Sequence, residues 1–131
     1  CSTDAQFADT HAKMGLKSSW GTTQRLPRLI GLQRAREMSF TGRRINGEEA
    51  RTLGLALDAV APSDLEGRID ALVQGIVAAS SGSMAAYKDL YRQSQSLGLD
   101  AGLELEATAY YPIDDRKERL RASATERTRK P

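Results

Sequence analysis

The chain has 131 residues, of which 40% are apolar and 27% are charged. These proportions are typical of one soluble globular domain, and they disfavour a wholly disordered, collagen-like or disulfide-stapled protein. The net charge of +2 is too small to indicate nucleic-acid binding by the whole chain, and a single cysteine cannot form an internal disulfide. Because no apolar run is long enough to span a membrane, we expect a cytoplasmic protein without a membrane partner.

The first thirty residues combine an extended start, a loop and a helix. Residues 1–8 lack a helical period and are expected to be extended, and residues 17–21 are expected to form a loop. From Thr22 onward, apolar residues at helical spacing predict a helix that stops at Gly31. Pro27 lacks a backbone N–H, so it is expected to shorten or kink this helix.

Two further short helices and a strand are predicted before residue 62. Apolar residues on one face predict a helix over 32–40. Asn46 stands three residues before Glu49, and this capping-box pattern predicts a helix over 48–53. The short apolar run at 55–60 lies between a glycine and a proline and predicts a β-strand.

The second half of the sequence is helical and ends in a basic segment. The apolar period is clearest over Leu65–Val77, a break follows at 80–82, and two more helical stretches end near Pro112. From Asp114 the residues carry a net charge of +3, with acidic residues interleaved and no aromatic residue. This pattern favours a solvated helix face first, a phosphate contact second and nucleic-acid binding last.

His11 is the only histidine, and it decides which catalytic chemistries are open. One histidine and one cysteine cannot assemble a zinc site, and neither a phosphate-binding glycine loop nor a nucleophile elbow is present. His11 alone could act as an acid and base near neutral pH, or it could be a surface or packing residue. Trp20, in the flexible segment 15–21, could contact a substrate or merely pack the loop.

Five segments match one family pattern in the same order, namely 7–15 (FADTHAKMG), 20–31 (WGTTQRLPRLIG), 35–42 (AREMSFTG), 49–55 (EARTLGL) and 114–118 (DDRKE). Together they resemble the enoyl-CoA hydratase/isomerase, or crotonase, superfamily. The resemblance implies an α+β fold, the ClpP/crotonase spiral. It further implies that this chain corresponds to the C-terminal portion of that fold, mostly α-helical with one or two short strands.

The resemblance also implies a division of roles along the chain and a set of partners. Residues 1–62 would form the end of the spiral core with the His11 loop and short helices, and residues 63–131 a helical C-terminal oligomerisation region. The implied substrate is an acyl-CoA thioester, in which coenzyme A is part of the substrate and no separate cofactor is needed. The implied assembly is a homotrimer or hexamer, or a pairing with an N-terminal crotonase half.

Site residues follow from the same resemblance. His11 stands at the position of the second catalytic glutamate of the hydratases, and Ser19, Trp20 and Gly21 stand in a loop that contacts substrate. The family's Pro-Gly in that loop is Ser18-Ser19 here. Because histidine is not equivalent to a carboxylate in water addition, acid/base chemistry is implied but hydration is not.

The oxyanion-stabilising backbone donors and the first catalytic carboxylate of the family lie upstream of every matched segment. We therefore expect the isolated 131-residue chain to be inactive. The alternative function is that of a non-catalytic helical module, a remnant of a truncated or split crotonase that only oligomerises or binds a partner.

Overall fold

The chain folds into short helices with one very small sheet. The computed structural model describes residues 1–129. Contacts within the chain divide it into two compact units, one formed by Cys1–Asp70 and one that begins at Ala71. Apart from two short 3-10 turns, Ala12–Met14 and Pro62–Asp64, the elements of the described residues are, in chain order, β1 (Gln6–Phe7), α1 (Thr22–Ile30), α2 (Leu32–Thr41), β2 (Ile45–Asn46), α3 (Gly47–Leu53), α4 (Leu65–Val77), α5 (Ser81–Ser94), α6 (Leu99–Thr108) and α7 (Arg116–Arg129).

The predicted helices of the first unit are confirmed. α1 does not stop at Pro27 but continues to Ile30, and the Pro27 carbonyl accepts a hydrogen bond from the Gly31 amide at 3.0 Å. Gly31 has a φ of 81°, a left-handed conformation that favours glycine and lets α2 begin directly at Leu32. The chain therefore turns between α1 and α2 within one residue.

The start of α3 shows half of the predicted capping box. The Asn46 side chain accepts a hydrogen bond from the Glu49 amide at 2.9 Å, as an N-cap residue does. The Glu49 carboxylate does not return to Asn46, because it binds the Arg43 guanidinium at 2.6 Å. Arg43 also forms an ion pair with Glu37 on α2.

Residues 55–60 do not form the predicted strand. The amides of Leu55 and Ala56 both donate to the carbonyl of Ala50, at 2.8 and 3.1 Å, and so complete the C-terminal turn of α3. Only Val60 has a β-bridge, a parallel one to the N-terminal segment. The apolar character of Leu55 and Ala56 reflects their packing against the core of the first unit and not a place in a sheet.

The sheet of the first unit pairs β1 with β2 in antiparallel register, with Phe7 opposite Ile45. Next to this pair the Gly47 amide donates to the Thr3 carbonyl at 3.2 Å. The approach is so close that a Cβ on Gly47 would lie 2.1 Å from the Ser2 carbonyl oxygen. These contacts hold the N-terminal segment against the start of α3.

The core of the first unit lies where α1, α2, β2 and α3 meet. Its buried residues are Leu26, Ile30, Ala35, Met38, Ile45 and Ala50. Phe7 of β1 packs against them. The segment that follows β1 therefore starts beside the core.

Polar contacts join helix ends in the second unit. Ser80 caps α5 by accepting from the Ser83 amide at 3.3 Å, and its hydroxyl donates to Asp115 at 2.6 Å. Arg119 of α7 donates to the Ala78 carbonyl at 2.8 Å. Helices α4 to α6 confirm the predicted helical stretches, although α5 already includes the serine and glycine that were expected to form a break.

The apolar face of α4, called the α4 stripe below, is exposed. It consists of Ile69, Leu72, Val73, Ile76 and Val77, which are between 41% and 72% exposed. In the described part of the chain no single helix is long and apolar enough to cross a membrane, and the pair Pro62–Val77 and Ser81–Ser94, bent by 102°, fits by length and composition only.

The basic segment forms α7, whose side chains are exposed as far as they are described, up to residue 124. A solvated helix face was the favoured interpretation of this segment. Lys130, which contributes to its charge, lies outside the described residues. The predicted roles of residues 1–62 and 63–131 remain predictions.

Candidate acid/base site around His11

Tight backbone turns fix His11 shortly after β1. His11 precedes a single 3-10 turn, Ala12–Met14, and its carbonyl accepts hydrogen bonds from the amides of Met14 at 3.0 Å and Leu16 at 2.9 Å. Gly15 closes the turn with a φ of 68°. The main chain of His11 is therefore anchored on its C-terminal side.

A buried carboxylate holds the His11 ring. Oδ1 of Asp9 lies 2.7 Å from Nδ1 of His11 and also accepts from the His11 amide at 3.2 Å. Oδ2 of Asp9 accepts from the hydroxyl of Ser39, on α2, at 2.7 Å. Asp9 is only 8% exposed, whereas the His11 side chain is 27% exposed. Asp9, His11 and Ser39 form what is called the acid/base site below.

These contacts keep Asp9 ionised. Burial on its own would raise the pKa of the Asp9 carboxyl, but the hydrogen bonds from His11 and Ser39 favour the charged form and hold its pKa below the usual value. A carboxylate can only accept hydrogen bonds. The proton of a neutral His11 ring therefore sits on Nδ1, and Nε2 carries the lone pair.

Trp20 stands beside the imidazole. The two ring centroids are 5.8 Å apart and the ring planes meet at 79°, an edge-to-face contact. Trp20 is 78% exposed, so most of its ring faces solvent. Within the part of the chain that the structure describes, Nε2 of His11 has no hydrogen-bond partner.

The loop that carries Trp20 leads directly into α1. Gly21 has a φ of 88° at the start of the helix, and Arg25 donates to the Trp20 carbonyl at 3.4 Å. Of the residues predicted to contact substrate, the structure thus brings Trp20 to His11 and places Gly21 directly after it. Ser19 is exposed, and no hydrogen bond joins it to His11 among residues 1–129.

A shallow groove of about 310 Å³ has Asp9 in its lining. Its lining comes from β1 and the residues after it, α1, α2 and the turn after α3, and consists of Gln6, Phe7, Ala8, Asp9, Thr22, Leu26, Met38 and Leu55. Among the described residues no group of three histidine, cysteine or acidic side chains is placed to hold a metal ion.

Comparison with known proteins identifies the family. The sequence profile of the enoyl-CoA hydratase/isomerase family matches residues 1–130. The chain is a member of the enoyl-CoA hydratase/isomerase family. The resemblance carried by the five segments is thereby confirmed.

Relatives of known sequence and structure agree with family membership. The chain is 36% identical over 121 residues to the enoyl-CoA isomerase/hydratase fer4 of Mycosarcoma maydis, covering 91% of this chain and 44% of that protein. It superposes on the enoyl-CoA hydratase of Bacillus anthracis with a TM-score of 0.90 at 31% identity, covering 95% and 50% of the two chains.

A third relative, from Thermobifida fusca, was crystallised in complex with acetoacetyl-CoA; it has a TM-score of 0.77 and 34% identity, covering 82% of this chain and 42% of its own. The chain thus has the crotonase fold over the region it covers, mostly helical with two short strands. It spans about half the length of the curated relatives it matches.

Two residues of the acid/base site, Asp9 and Ser39, were not predicted from the sequence. Asp9 is two residues before His11, and the Asp-x-His spacing was a usable signal, because a side chain at that distance can reach back to the ring. Ser39 is 30 residues away from Asp9 in the chain, and only the packing of α2 brings the two together.

Proposed function

We propose that this chain supplies the acid/base residue of an enzyme of the enoyl-CoA hydratase/isomerase family that acts on acyl-CoA thioesters, with His11 in that role. One observation carries the proposal. The ring of the partly exposed His11 is held through Nδ1 by a buried carboxylate, Nε2 is unengaged, and the Trp20 ring stands beside the imidazole.

This arrangement suits proton transfer to and from carbon. A neutral imidazole whose Nε2 lone pair is unengaged can take a proton from the carbon next to a thioester carbonyl and return it elsewhere. The negative charge that develops on the thioester oxygen needs preorganised donors. By the resemblance, those donors belong to the half of the family's length that this chain does not match.

The substrate class is supported by two observations. A Thermobifida fusca relative with 34% identity binds acetoacetyl-CoA in its crystal structure. The largely exposed Trp20 ring, beside His11, offers a flat apolar surface for an acyl chain or for the thioester. We propose that the loop residues Ser19, Trp20 and Gly21 contact this substrate.

A second candidate function rests on the α4 stripe. Five apolar side chains on one exposed helix face are typical of a surface that another polypeptide covers. We propose that a homotrimer, a hexamer or an N-terminal crotonase half covers the α4 stripe. If covering this face were the chain's whole role, it would be a non-catalytic oligomerisation or partner-binding module.

An assembly experiment separates the two functions. The 131-residue chain is assayed in D2O for acyl-CoA binding and for deuterium uptake at the carbon next to the thioester carbonyl, alone and after addition of the other half of the family's length, as a fused or separate polypeptide. The enzyme proposal predicts no turnover by the chain alone, and both acyl-CoA binding and turnover by the assembly. An assembly that forms but binds no acyl-CoA would contradict it and favour the non-catalytic module.

Trp20→Ala tests, in the same assembly, whether the Trp20 ring contacts the acyl-CoA. Losing the flat ring is expected to weaken acyl-CoA binding by roughly tenfold, which corresponds to about 1.4 kcal/mol. Phe40→Ala is the matched control, because Phe40 is an aromatic residue of similar exposure, 74% against 78%, in α2. Equal affinities of the two variants would remove Trp20 from the substrate site.

A further inference from the structure

We propose that Asp9 is a positioning residue that fixes His11 in the Nδ1–H tautomer, and that Ser39 in turn orients Asp9, so that Nε2 is the atom that moves the proton. This inference rests on the proposed function of His11. It adds two residues, Asp9 and Ser39, to which the family resemblance assigns no role.

The hydrogen bonds define the orientation of the Asp9 carboxylate. One oxygen holds both the amide and the ring of His11, at 3.2 and 2.7 Å, and the other oxygen holds the Ser39 hydroxyl at 2.7 Å. Rotation of the carboxylate would break contacts on both sides. The imidazole is therefore held by a carboxylate that is itself fixed by the His11 amide and by Ser39 on α2.

Burial gives these contacts their strength. Asp9 is 8% exposed, so water competes weakly for its oxygens, and a buried charge without partners would be strongly disfavoured. Hydrogen bonds with an ionised acceptor are about twice as strong as those between neutral groups. The Asp9–His11 contact should thus dominate the tautomer equilibrium of the ring.

As a chemical consequence, the two ring nitrogens have different roles. Nδ1 keeps its proton throughout, because Asp9 accepts from it in both the neutral and the charged ring. Nε2 takes the substrate proton as its N–H bond forms, and the resulting imidazolium is stabilised by the Asp9 carboxylate. The same proton leaves from Nε2 when it is returned to the substrate, so no other donor or acceptor is consumed.

The tautomer can be measured directly, because His11 is the only histidine in the chain. The protein is labelled with ¹⁵N-histidine, and long-range ¹H–¹⁵N correlations are recorded at about pH 9, well above the ordinary histidine pKa of about 6.5. We expect a protonated Nδ1 and an unprotonated Nε2. A wild-type spectrum dominated by the Nε2–H form, or an even mixture, would overturn the inference.

Variants connect the tautomer to its cause. Asp9→Ala should shift the ring toward the Nε2–H form, and Ser39→Ala should cause a smaller shift in the same direction. Asp4→Ala is the matched control, because Asp4 is an exposed aspartate in the same segment. An unchanged Nδ1–H preference in Asp9→Ala would overturn the inference; if that variant does not fold, the wild-type spectrum and Ser39→Ala still decide it.

Kinetics in the assembled enzyme separate this inference from the proposed function. Asp9→Ala is expected to lower kcat by about 10²-fold or more with little change in KM, because substrate binding does not need Asp9. An unchanged kcat would overturn the positioning role. By contrast, activity that survives His11→Ala would overturn the proposed function, while the tautomer measured in the chain would stand on its own.

Discussion

Replacing Gly47 by alanine would place a methyl group against the backbone of the N-terminal segment. The added Cβ would lie 2.1 Å from the Ser2 carbonyl oxygen and 3.0 Å from the Thr3 Cα. Contacts below 3.0 Å are essentially never made by a Cβ, so Ser2 must move by about 1 Å. That movement would strain the hydrogen bond from Gly47 to the Thr3 carbonyl and, through β1, the position of Asp9.

The cost can be worked from these contacts. Overpacking against backbone costs about 1–3 kcal/mol, and a weakened backbone hydrogen bond adds about 1 kcal/mol. Alanine in place of glycine stabilises a helix by up to about 1 kcal/mol, which offsets part of this loss. We expect Gly47→Ala to lower the free energy of unfolding of the first unit by about 1–3 kcal/mol.

Gly67→Ala is the matched control for this prediction. Gly67 lies in α4 within the same unit, and a Cβ there would meet nothing within 4 Å. The same substitution should be neutral or stabilise by about 0.5–1 kcal/mol. The comparison isolates the contact of the added methyl group with backbone, which occurs at Gly47 and not at Gly67.

Amide hydrogen exchange, read by mass spectrometry over β1 and α3, measures the effect in the first unit. A loss of 2 kcal/mol corresponds to roughly thirtyfold faster exchange in peptides that exchange through unfolding of this unit. Exchange in α5 and α6 should be unaffected if the two units unfold independently. Wild-type protection of β1 and α3 in Gly47→Ala would refute the close approach of the N-terminal segment to α3.

Three further predictions concern the buried residues and a cap. The pKa of Asp9 is lowered in the folded protein, so the ionised carboxylate contributes its full stability above the unfolded pKa of about 3.8. This contribution is lost as the pH falls through the lower pKa of the folded state. The difference in urea midpoint between wild type and Asp9→Asn should therefore shrink below about pH 4. Met38→Ala, at a site 2% exposed, should cost about 2–4 kcal/mol in urea unfolding, against less than about 0.5 kcal/mol for Met14→Ala at a site 70% exposed. Ser80→Ala removes the α5 cap and the Asp115 hydrogen bond, and should cost about 1–2 kcal/mol, seen as faster amide exchange in α5.

The helices were predictable because their signals are local. Apolar spacing marks α1, α2 and α4, and the Asn46 cap marks α3 within one residue of its observed start. The prediction of a strand at 55–60 was wrong, because a short apolar run is compatible both with pairing in a sheet and with packing on a core. β1 and β2 have two residues each, too few for any period, and their pairing spans 40 residues of chain.

One of the three residues of the acid/base site was predicted from the sequence. His11 was found because it is the only histidine and stands at a family position. Its partner Asp9 is close enough in sequence for the spacing to suggest a contact, but the burial of Asp9 depends on the core beneath it. Ser39 carries no signal of its own, because a serine in the last turn of an amphipathic helix is ordinary until the packing of α2 places it on Asp9.

The central claim is that His11 moves the substrate proton, and deuterium exchange tests it most directly. The chain, assembled with the other half of the family's length, is incubated with an acyl-CoA in D2O. The uptake of deuterium at the carbon next to the thioester carbonyl is followed by mass spectrometry. Wild type should incorporate deuterium, and His11→Ala should do so at least about a hundredfold more slowly, while Thr10→Ala, at the exposed neighbouring residue, should match wild type. Equal rates for wild type and His11→Ala would contradict the account.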